Sequence, residues 1–264
     1  MKILSQQTSF KERQNFWDRV ALSFKSVRNA YSTKIYGDGE WRLIKKFFGN
    51  IAGKNFLKLD LWNEVNNTTI LDIVISNGAN VSAVDVSPVL VERAKKNFAR
   101  FENFSFVVGD IRSIPFETNC FDFVYTMGTI EHIPDPENAI KEIHRVLKKN
   151  GLAIIGVPYK YDPFGRAAFL WLGNKFDFLP YGEELCFSWG QFKKMILVAD
   201  FDIIAKSGAY FIPWPFRFAD IWINQHMPVF SYILYPFLFV CKVLSRFDFL
   251  CAHNSLIAYV VRKK

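Results

Sequence analysis

The chain has 264 residues, half of them apolar and 22% charged, which excludes a disordered segment and allows a sizeable core in one elaborated domain or two small ones. Its four cysteines, Cys120, Cys186, Cys241 and Cys251, make no CxxC pair and no metal-ligand spacing, so no metal is expected and a reduced, cytoplasmic setting fits. The net charge of +8 suits an anionic partner, yet the basic residues are scattered and no nucleic-acid-binding motif is visible, so no nucleic acid is expected.

In chain order, MKILSQQTSFKERQNFW lacks the apolar core of a signal peptide. Residues 8–50 read as helical: WDRVALSFKSV and EWRLIKKFF carry apolar positions at helical spacing, with NAYSTKIYGDGE between them as a loop. Residues 1–54 are thus expected to form an N-terminal helical cap on a domain spanning 55–264. From about residue 55 to 158 short apolar runs alternate with amphipathic stretches, the pattern of βαβ units and a parallel sheet. The strands are predicted at FLKLDL (56–61), VSAVDV (81–86), FSFVVGD (104–110), FDFVYTM (121–127) and LAIIGVP (152–158). The helices between them are SPVLVERAKKNFARF (87–101) and PENAIKEIHRVLKKNG (136–151), the second closed at Gly151 after Lys148 and Lys149. After Pro158 the composition shifts, and residues 159–187 are rich in aromatics and glycine. SWGQFKKMILVA (188–199) then reads as a helix, FDIIAKSGAYFI as a strand and SLIAYVVRKK as a terminal strand, with a helical aromatic insertion at 211–253. The most apolar run, PVFSYILYPFLFVC (228–241), is too short for a spanning helix and carries Pro236.

The stretch ILDIVISNGAN (70–80) imitates the first strand of a nucleotide-binding unit. Were it that strand, only residues 76–80 would connect it to VSAVDV, and parallel neighbours need a crossover of a dozen or more residues. With FLKLDL as the first strand the connection becomes residues 62–80, enough for a loop and a helix. TTILDIVISNG then reads as that helix, with Asn67 or Thr68 as its cap, Ile70, Leu71 and Val74 on one face and Gly78 at its stop. The β-branched run Ile73–Val74–Ile75 opposes the assignment by only a few tenths of a kcal/mol per residue, so connectivity decides. The loop after the first strand is LDLWNEVNN, without glycine.

In a doubly wound sheet, ligands bind outside the carboxyl ends of the strands. There the first strand presents Lys58, Asp60, Trp62, Asn63 and Glu64; the second, Asp85 and Val86; the third, Gly109, Asp110 and Ile111; the fourth, Thr126, Met127 and Gly128, followed by Glu131 and His132. An acid at the end of the second strand accepts from the two hydroxyls of a ribose, the role assigned to Asp85, with Ser87 as the helix cap beside it. Asp110 is placed to accept from an adenine amino group, the alternative being a solvated turn acid. His132 is the candidate general base for a hydroxyl acceptor, its alternative a structural histidine. His144 reads as a surface helix residue, while His226 and His253 lie in the aromatic insertion, where nothing in the sequence fixes them.

VSAVDVSPVLVERAKKNF followed by VVGDIRSIPFETNCFDFVYTMGTIEHIPDPENAIKEIHRVLKKNGLAIIGVP resembles the class I S-adenosylmethionine-dependent methyltransferases, in the small-molecule and lipid branch with an EH-x-x-D-P segment after strand four. The resemblance covers residues 56–158 well and the rest loosely. It implies an α/β Rossmann-like doubly wound sheet, mostly parallel with a C-terminal reverse β-hairpin, and S-adenosylmethionine as cofactor. It departs at the first motif, where KLDLWNEVNN stands in place of the family's glycine-rich loop, as in a variant subgroup with a Lys-x-Asp-Leu-Trp/Phe-x-Glu segment. Side chains are then expected to replace the glycines: Lys58 against the cofactor carboxylate, Asp60 or Glu64 against its ammonium, with Lys58–Asp60 as a solvated salt bridge the alternative. The cofactor set is Lys58, Asp60, Asn63, Glu64, Asp85, Val86, Asp110, Ile111, Thr126 and Met127.

The aromatic insertion reads either as a packed cap or as an interfacial element. In the second reading Trp214, Phe216, Trp222 and Tyr235 suit a bilayer interface and Arg217, Lys242 and Arg246 suit anionic headgroups, giving peripheral membrane contact through 211–246. The leading function is methyl transfer to a small-molecule, hydrophobic or lipid-linked acceptor. A catalytically silent binding or scaffold protein is the alternative, favoured by the missing glycines and opposed by Asp85, Asp110 and the EH segment. A nicotinamide-dependent oxidoreductase lacks its glycine fingerprint here.

Overall fold

A computed structural model describes residues 9–176, 179 and 184–264. The opening residues read as lacking a signal-peptide core lie outside these as far as position 8, as do positions 177, 178 and 180–183 of the 159–187 segment. Two helices come first, α1 (Phe10–Ser23) and α2 (Tyr31–Phe48). Strands and helices then alternate: β1 (Asn55–Leu59), α3 (Trp62–Asn66), α4 (Ile70–Ser76), β2 (Asn80–Asp85), α5 (Pro88–Phe98), β3 (Phe104–Val108), β4 (Phe121–Met127), α6 (Pro136–Val146) and β5 (Leu147–Pro158). The last third carries α7 (Arg166–Phe176), α8 (Trp189–Val198), β6 (Phe201–Gly208), α9 (Trp214–His226), α10 (Tyr235–Leu244), α11 (Asp248–Cys251) and β7 (Leu256–Lys263).

The strands form one seven-stranded sheet in the order β3-β2-β1-β4-β5-β7-β6. The first five pair in parallel, and β7 runs antiparallel to both β5 and β6, the expected reverse hairpin. Strand order turns back between β1 and β4, so the ligand crevice belongs outside their carboxyl ends.

The strand begins at Asn55 and ILDIVIS is a helix, as the length of the crossover demands. Ile70, Leu71, Val74 and Ile75 are buried, and Gly78 takes φ 84 at the helix end. The predicted caps differ: neither Asn67 nor Thr68 closes α4. Thr69 holds the N-cap position at φ 52 without a side-chain bond, and the free Leu71 N–H donates to Glu64 Oε2 at 3.1 Å. A short helix, α3, fills part of the crossover and brings this acid to the open amides.

Two further predictions are corrected. NAYSTKIYGDGE is mostly helix, because α2 begins at Tyr31 and runs through its glycines. A Cβ on Gly39 would stand 1.8 Å from Ala209 O, so this glycine serves close approach between α2 and the chain after β6 rather than a turn. The helix predicted to Gly151 ends at Val146, where the chain turns extended and pairs Leu147 with Phe121. Leu147 is fully buried, which outweighs the helix-ending lysines, and the irregular register near Phe121 places Asn150 at φ 62.

The period of two in the strands sorts the core into two layers. Phe56, Phe123, Tyr125 and Val81 pack with α2, α4 and α5 on one face; Leu57, Leu59, Val124 and Ile155 pack with α6 and α8 on the other. Lys58 shares the face of Phe56 and stands beside Tyr125 in register, so a cation is driven into the layer under α2.

Candidate active site

A cavity of about 790 Å³ opens outside the carboxyl ends of β1, β2 and β4. Its strand-end wall carries Asp60, Asn63, Asp85, Val86, Asp110 and Ile111. Met127, Gly128, Thr129, Glu131 and His132 continue it from the end of β4. Eight predicted residues are therefore brought together; Lys58, Glu64 and Thr126 are fully buried beneath them and do not line the cavity.

Asp60 stands at φ 76, a left-handed backbone that glycine more often takes: its N–H donates to Val84 O at 2.8 Å, and Oδ1 accepts from Trp62 N at 3.1 Å, opening α3. Oδ2 accepts from Thr129 Oγ1 at 2.7 Å and from Lys58 Nζ at 3.3 Å. The Lys58 ammonium also donates to Asp60 O at 3.1 Å and lies 3.8 Å from Glu64 Oε1. Around it Glu40 accepts from Tyr125 OH at 2.9 Å. This is a buried network, not the solvated salt bridge of the alternative reading. Burial pushes Glu40 up to about 7 and Glu64 up to about 8, even beside Lys58. Burial works against the Lys58 charge, but Asp60, Glu64 and Glu40 outweigh it and raise its pKa.

Asp85 faces the cavity with both oxygens anchored: Oδ2 accepts from Leu61 N at 2.7 Å and Oδ1 from Ser87 N at 2.8 Å. Each oxygen keeps a lone pair, so the anchored carboxyl fits a ribose diol. Burial lifts its pKa to about 7 against those two bonds. Ser87 caps α5, accepting from Leu90 N at 3.2 Å, as expected. Asp110 is held by Arg112 and by Arg13 Nη2 at 2.6 Å. Burial opposes its charge, but these partners keep its pKa low.

The sequence suggests that the N-terminal helices enclose the acceptor but does not single out the residues of α1 that face it. Arg13 and Trp17 line the cavity, and Asp18 ties α1 to α5 through Ser87 Oγ and through Val89 N at 3.2 Å. His132 meets the Trp17 ring edge-on, centroids 5.3 Å apart. His144 is half-buried edge-on against Phe201 rather than a surface residue, and burial lowers its pKa. His226 and His253 are exposed and outside the cavity lining.

The opposite wall comes from the last third. Trp214 stacks on Phe169 at 4.6 Å and donates from Nε1 to Phe164 O at 2.7 Å. Arg217 lies over the Tyr36 and Tyr210 rings at 5.3 and 5.6 Å. For these two residues the packed-cap reading holds rather than the bilayer-facing one: the turn of α9 carries them inward, because position 214 and position 217 share one helical face. Of the other residues named with them, Tyr235 stacks on Tyr31 and Lys242 pairs with Asp38 at 2.7 Å, while Phe216, Trp222 and Arg246 are exposed.

Comparison with known proteins agrees with this geometry. Residues 65–155 match the family model described as a methyltransferase domain. A demethylmenaquinone methyltransferase of Staphylococcus epidermidis is 34% identical over 87 residues, 33% of this chain and 36% of that protein. A chloroplastic 2-methyl-6-phytyl-1,4-hydroquinone methyltransferase of Oryza sativa subsp. japonica is 39% identical over 74 residues, 28% of this chain and 21% of that protein. The match thus spans about a third or less of these curated relatives. Among solved structures, the 4+2 cyclase SpnF superposes with a TM-score of 0.64 at 17% identity, covering 100% of this chain and 97% of that one. An S-adenosylmethionine-dependent methyltransferase from Mesorhizobium loti gives a TM-score of 0.58 at 14% identity, covering 87% of this chain and 100% of that one. The structural likenesses show the α/β fold, and residues 65–155 are similar to a methyltransferase domain.

Proposed function

We propose that the chain is an S-adenosylmethionine-dependent methyltransferase acting on a small hydrophobic acceptor with an oxygenated aromatic ring, lipid-linked in its natural form. The observation that carries this reading is one continuous cavity joining the carboxylates Asp60 and Asp85 to the aromatic wall of Trp214, Tyr36 and Tyr210. Bound S-adenosylmethionine supplies an electrophilic methyl group on a sulfonium. Asp85 would hold the ribose hydroxyls and Asp60 the ammonium end, with Asn63 beside it. Val86, Ile111 and Met127 supply apolar walls, and Asp110 fixes Arg13 and with it α1. Lys58 and Glu64 act from below by holding Asp60 and the start of α4, while Thr126, one residue on from Tyr125, is buried on the opposite face of the sheet. Trp17 and α1 exclude water, which strengthens every electrostatic contact inside.

His132 is the group we assign to accept a proton from an acceptor hydroxyl. The names of the relatives, methyltransferases of demethylmenaquinone and of a phytyl hydroquinone, support a quinol-type acceptor. In this reading α1 and α2 cap the domain that starts at β1, while the segments around α7 and α9 enclose the acceptor. None of the described helices is long and apolar enough to cross a membrane. The exposed apolar residues of the insertion support peripheral contact with a bilayer that holds the acceptor.

The test is calorimetry with S-adenosylhomocysteine, followed by transfer of labelled methyl from S-adenosylmethionine to 1,4-dihydroxynaphthalene, read in the organic extract. Binding and a labelled product are expected. Absence of binding returns the chain to the catalytically silent alternative.

A further inference from the structure

We propose that Glu131 donates a hydrogen bond from its carboxyl group to a ring oxygen of the acceptor, and so selects an oxygen-bearing aromatic head over a plain hydrocarbon one. This rests on the methyltransferase reading above and names the group that recognises the acceptor.

Glu131 lies in the 3-10 turn Ile130–His132 after β4 and faces the cavity, with 3% of its surface exposed. Its backbone is engaged, since Glu131 O accepts from Leu185 N at 3.3 Å. Its side chain is left incomplete: Oε2 is buried with no hydrogen-bond partner among the described residues. Gly128 beside it takes φ 80, the backbone that carries the chain from β4 into this turn. A buried polar atom left unpaired costs about 1–3 kcal/mol, a cost native proteins carry where a ligand completes the bond.

The surroundings favour the protonated form. Glu184 lies close by, itself paired with Arg166, and Arg166 Nη1 also donates to Ser255 O at 3.1 Å. Burial and the Glu184 charge push the Glu131 pKa well above the ordinary carboxyl value, Asp60 adds to the push, and Arg166 only partly offsets it. A carboxylic acid kept neutral in an apolar site is a donor at neutral pH. The Phe169–Trp214 stack and Leu170 and Leu179 line the same cavity as Glu131, an apolar wall for a flat ring whose oxygen this acid would meet.

The experiment measures binding, not turnover. Quenching of tryptophan fluorescence is titrated with 2,3-dimethyl-1,4-naphthoquinone, whose ring carbons are blocked against addition of the free cysteines. Saturating S-adenosylhomocysteine is present throughout. Its binding by each variant, read by calorimetry, reports an intact fold. The hydrocarbon 2,3-dimethylnaphthalene is the oxygen-free control. Glu131→Gln keeps an N–H donor and should bind the quinone within about threefold of the wild type. Glu131→Ala, read beside the space-filling Glu131→Leu, should weaken it by about tenfold or more, roughly 1.4 kcal/mol. The hydrocarbon should bind all forms alike.

Undiminished quinone binding in the Ala and Leu forms overturns the proposal. So does a loss in the Gln form equal to that in Ala, or a parallel loss for the hydrocarbon. A wild type that binds S-adenosylhomocysteine but not the quinone sinks this inference and leaves the methyltransferase reading standing. Failure to bind S-adenosylhomocysteine sinks that reading and this inference with it.

Discussion

Lys58 is enclosed on a central strand with Asp60, Glu64 and Glu40 around its ammonium. Removing one member of such a buried set costs more than the set contributes, because the remaining charges keep their desolvation penalty. Lys58→Met should therefore lower stability by about 3 kcal/mol in urea unfolding. Adding Glu64→Gln should recover part of that loss; full stability in the single variant would remove the network from the account. Asp60→Ala, which clears a cavity-facing carboxyl, should instead weaken S-adenosylmethionine binding by about tenfold, near 1.4 kcal/mol, in calorimetry.

The same groups set a pH dependence. Glu40 and Asp85 rise to about 7 and Glu64 to about 8 in the folded state, so the native protein binds more protons than the unfolded chain above pH 4. Their contribution is fully present below the unfolded values and is lost as pH rises through 7 and 8. The melting temperature should fall between pH 5 and pH 9, and Glu64→Gln should flatten the fall. A flat wild-type profile would contradict the assignment. From sequence, the alternation of β1 already places Lys58 with Phe56. Its acidic partner Glu40 stayed hidden because it falls where the expected loop NAYSTKIYGDGE meets the expected helix EWRLIKKFF, a position that names no face.

Among the elements, two glycine-containing stretches mislead in opposite ways. The GDG of α2 looks like a breaker, but Gly39 is a contact surface for Ala209 O, a requirement set by a residue far along the chain. KKNG looks like a helix end, but Leu147 is claimed by Phe121 and the strand starts early. Local signals lose in both cases to partners that sequence alone does not name. The disguised helix α4 is legible for the converse reason, since a parallel crossover has a minimum length whatever its residues prefer. In the site, strand-end acids such as Asp85 can be listed from topology alone. Arg13 and Trp17 cannot, because the docking of α1 depends on Asp18 reaching the start of α5. That docking makes a prediction at this scale. Asp18→Ala should raise amide exchange in residues 10–23 by about tenfold and speed association of S-adenosylhomocysteine in stopped flow. Unchanged exchange would mean that α1 is held elsewhere.

At the scale of the whole molecule, the proposed membrane contact would draw on both the positive charge and the apolar surface of the insertion. Val229 and Phe249 are each 73% exposed, and Phe218, Tyr232, Ile233 and Phe239 are exposed with them. Apolar side chains at an interface bind in a manner insensitive to salt, whereas the net charge of +8 adds attraction that salt screens. Liposomes containing anionic lipid should therefore float the protein, with recovery falling in high salt. Val229→Ser with Ile233→Ser should lower flotation most clearly in high salt, where the charge attraction is screened, without altering S-adenosylhomocysteine binding. Equal recovery of this variant and the wild type would reassign the patch.

The strand β7 is bonded on both sides, to β5 and to β6, yet it is the last element of the described chain. Until it arrives, β6 has no strand to pair with and the lengthy excursion through α9, α10 and α11 waits without a closed sheet behind it. Assembly is consequently governed by contacts of high sequence separation, and the sheet can close only once residues 256–263 have been made. Unpairing residues 256–263 would open a wound inside the sheet, between β5 and β6, rather than trim its margin.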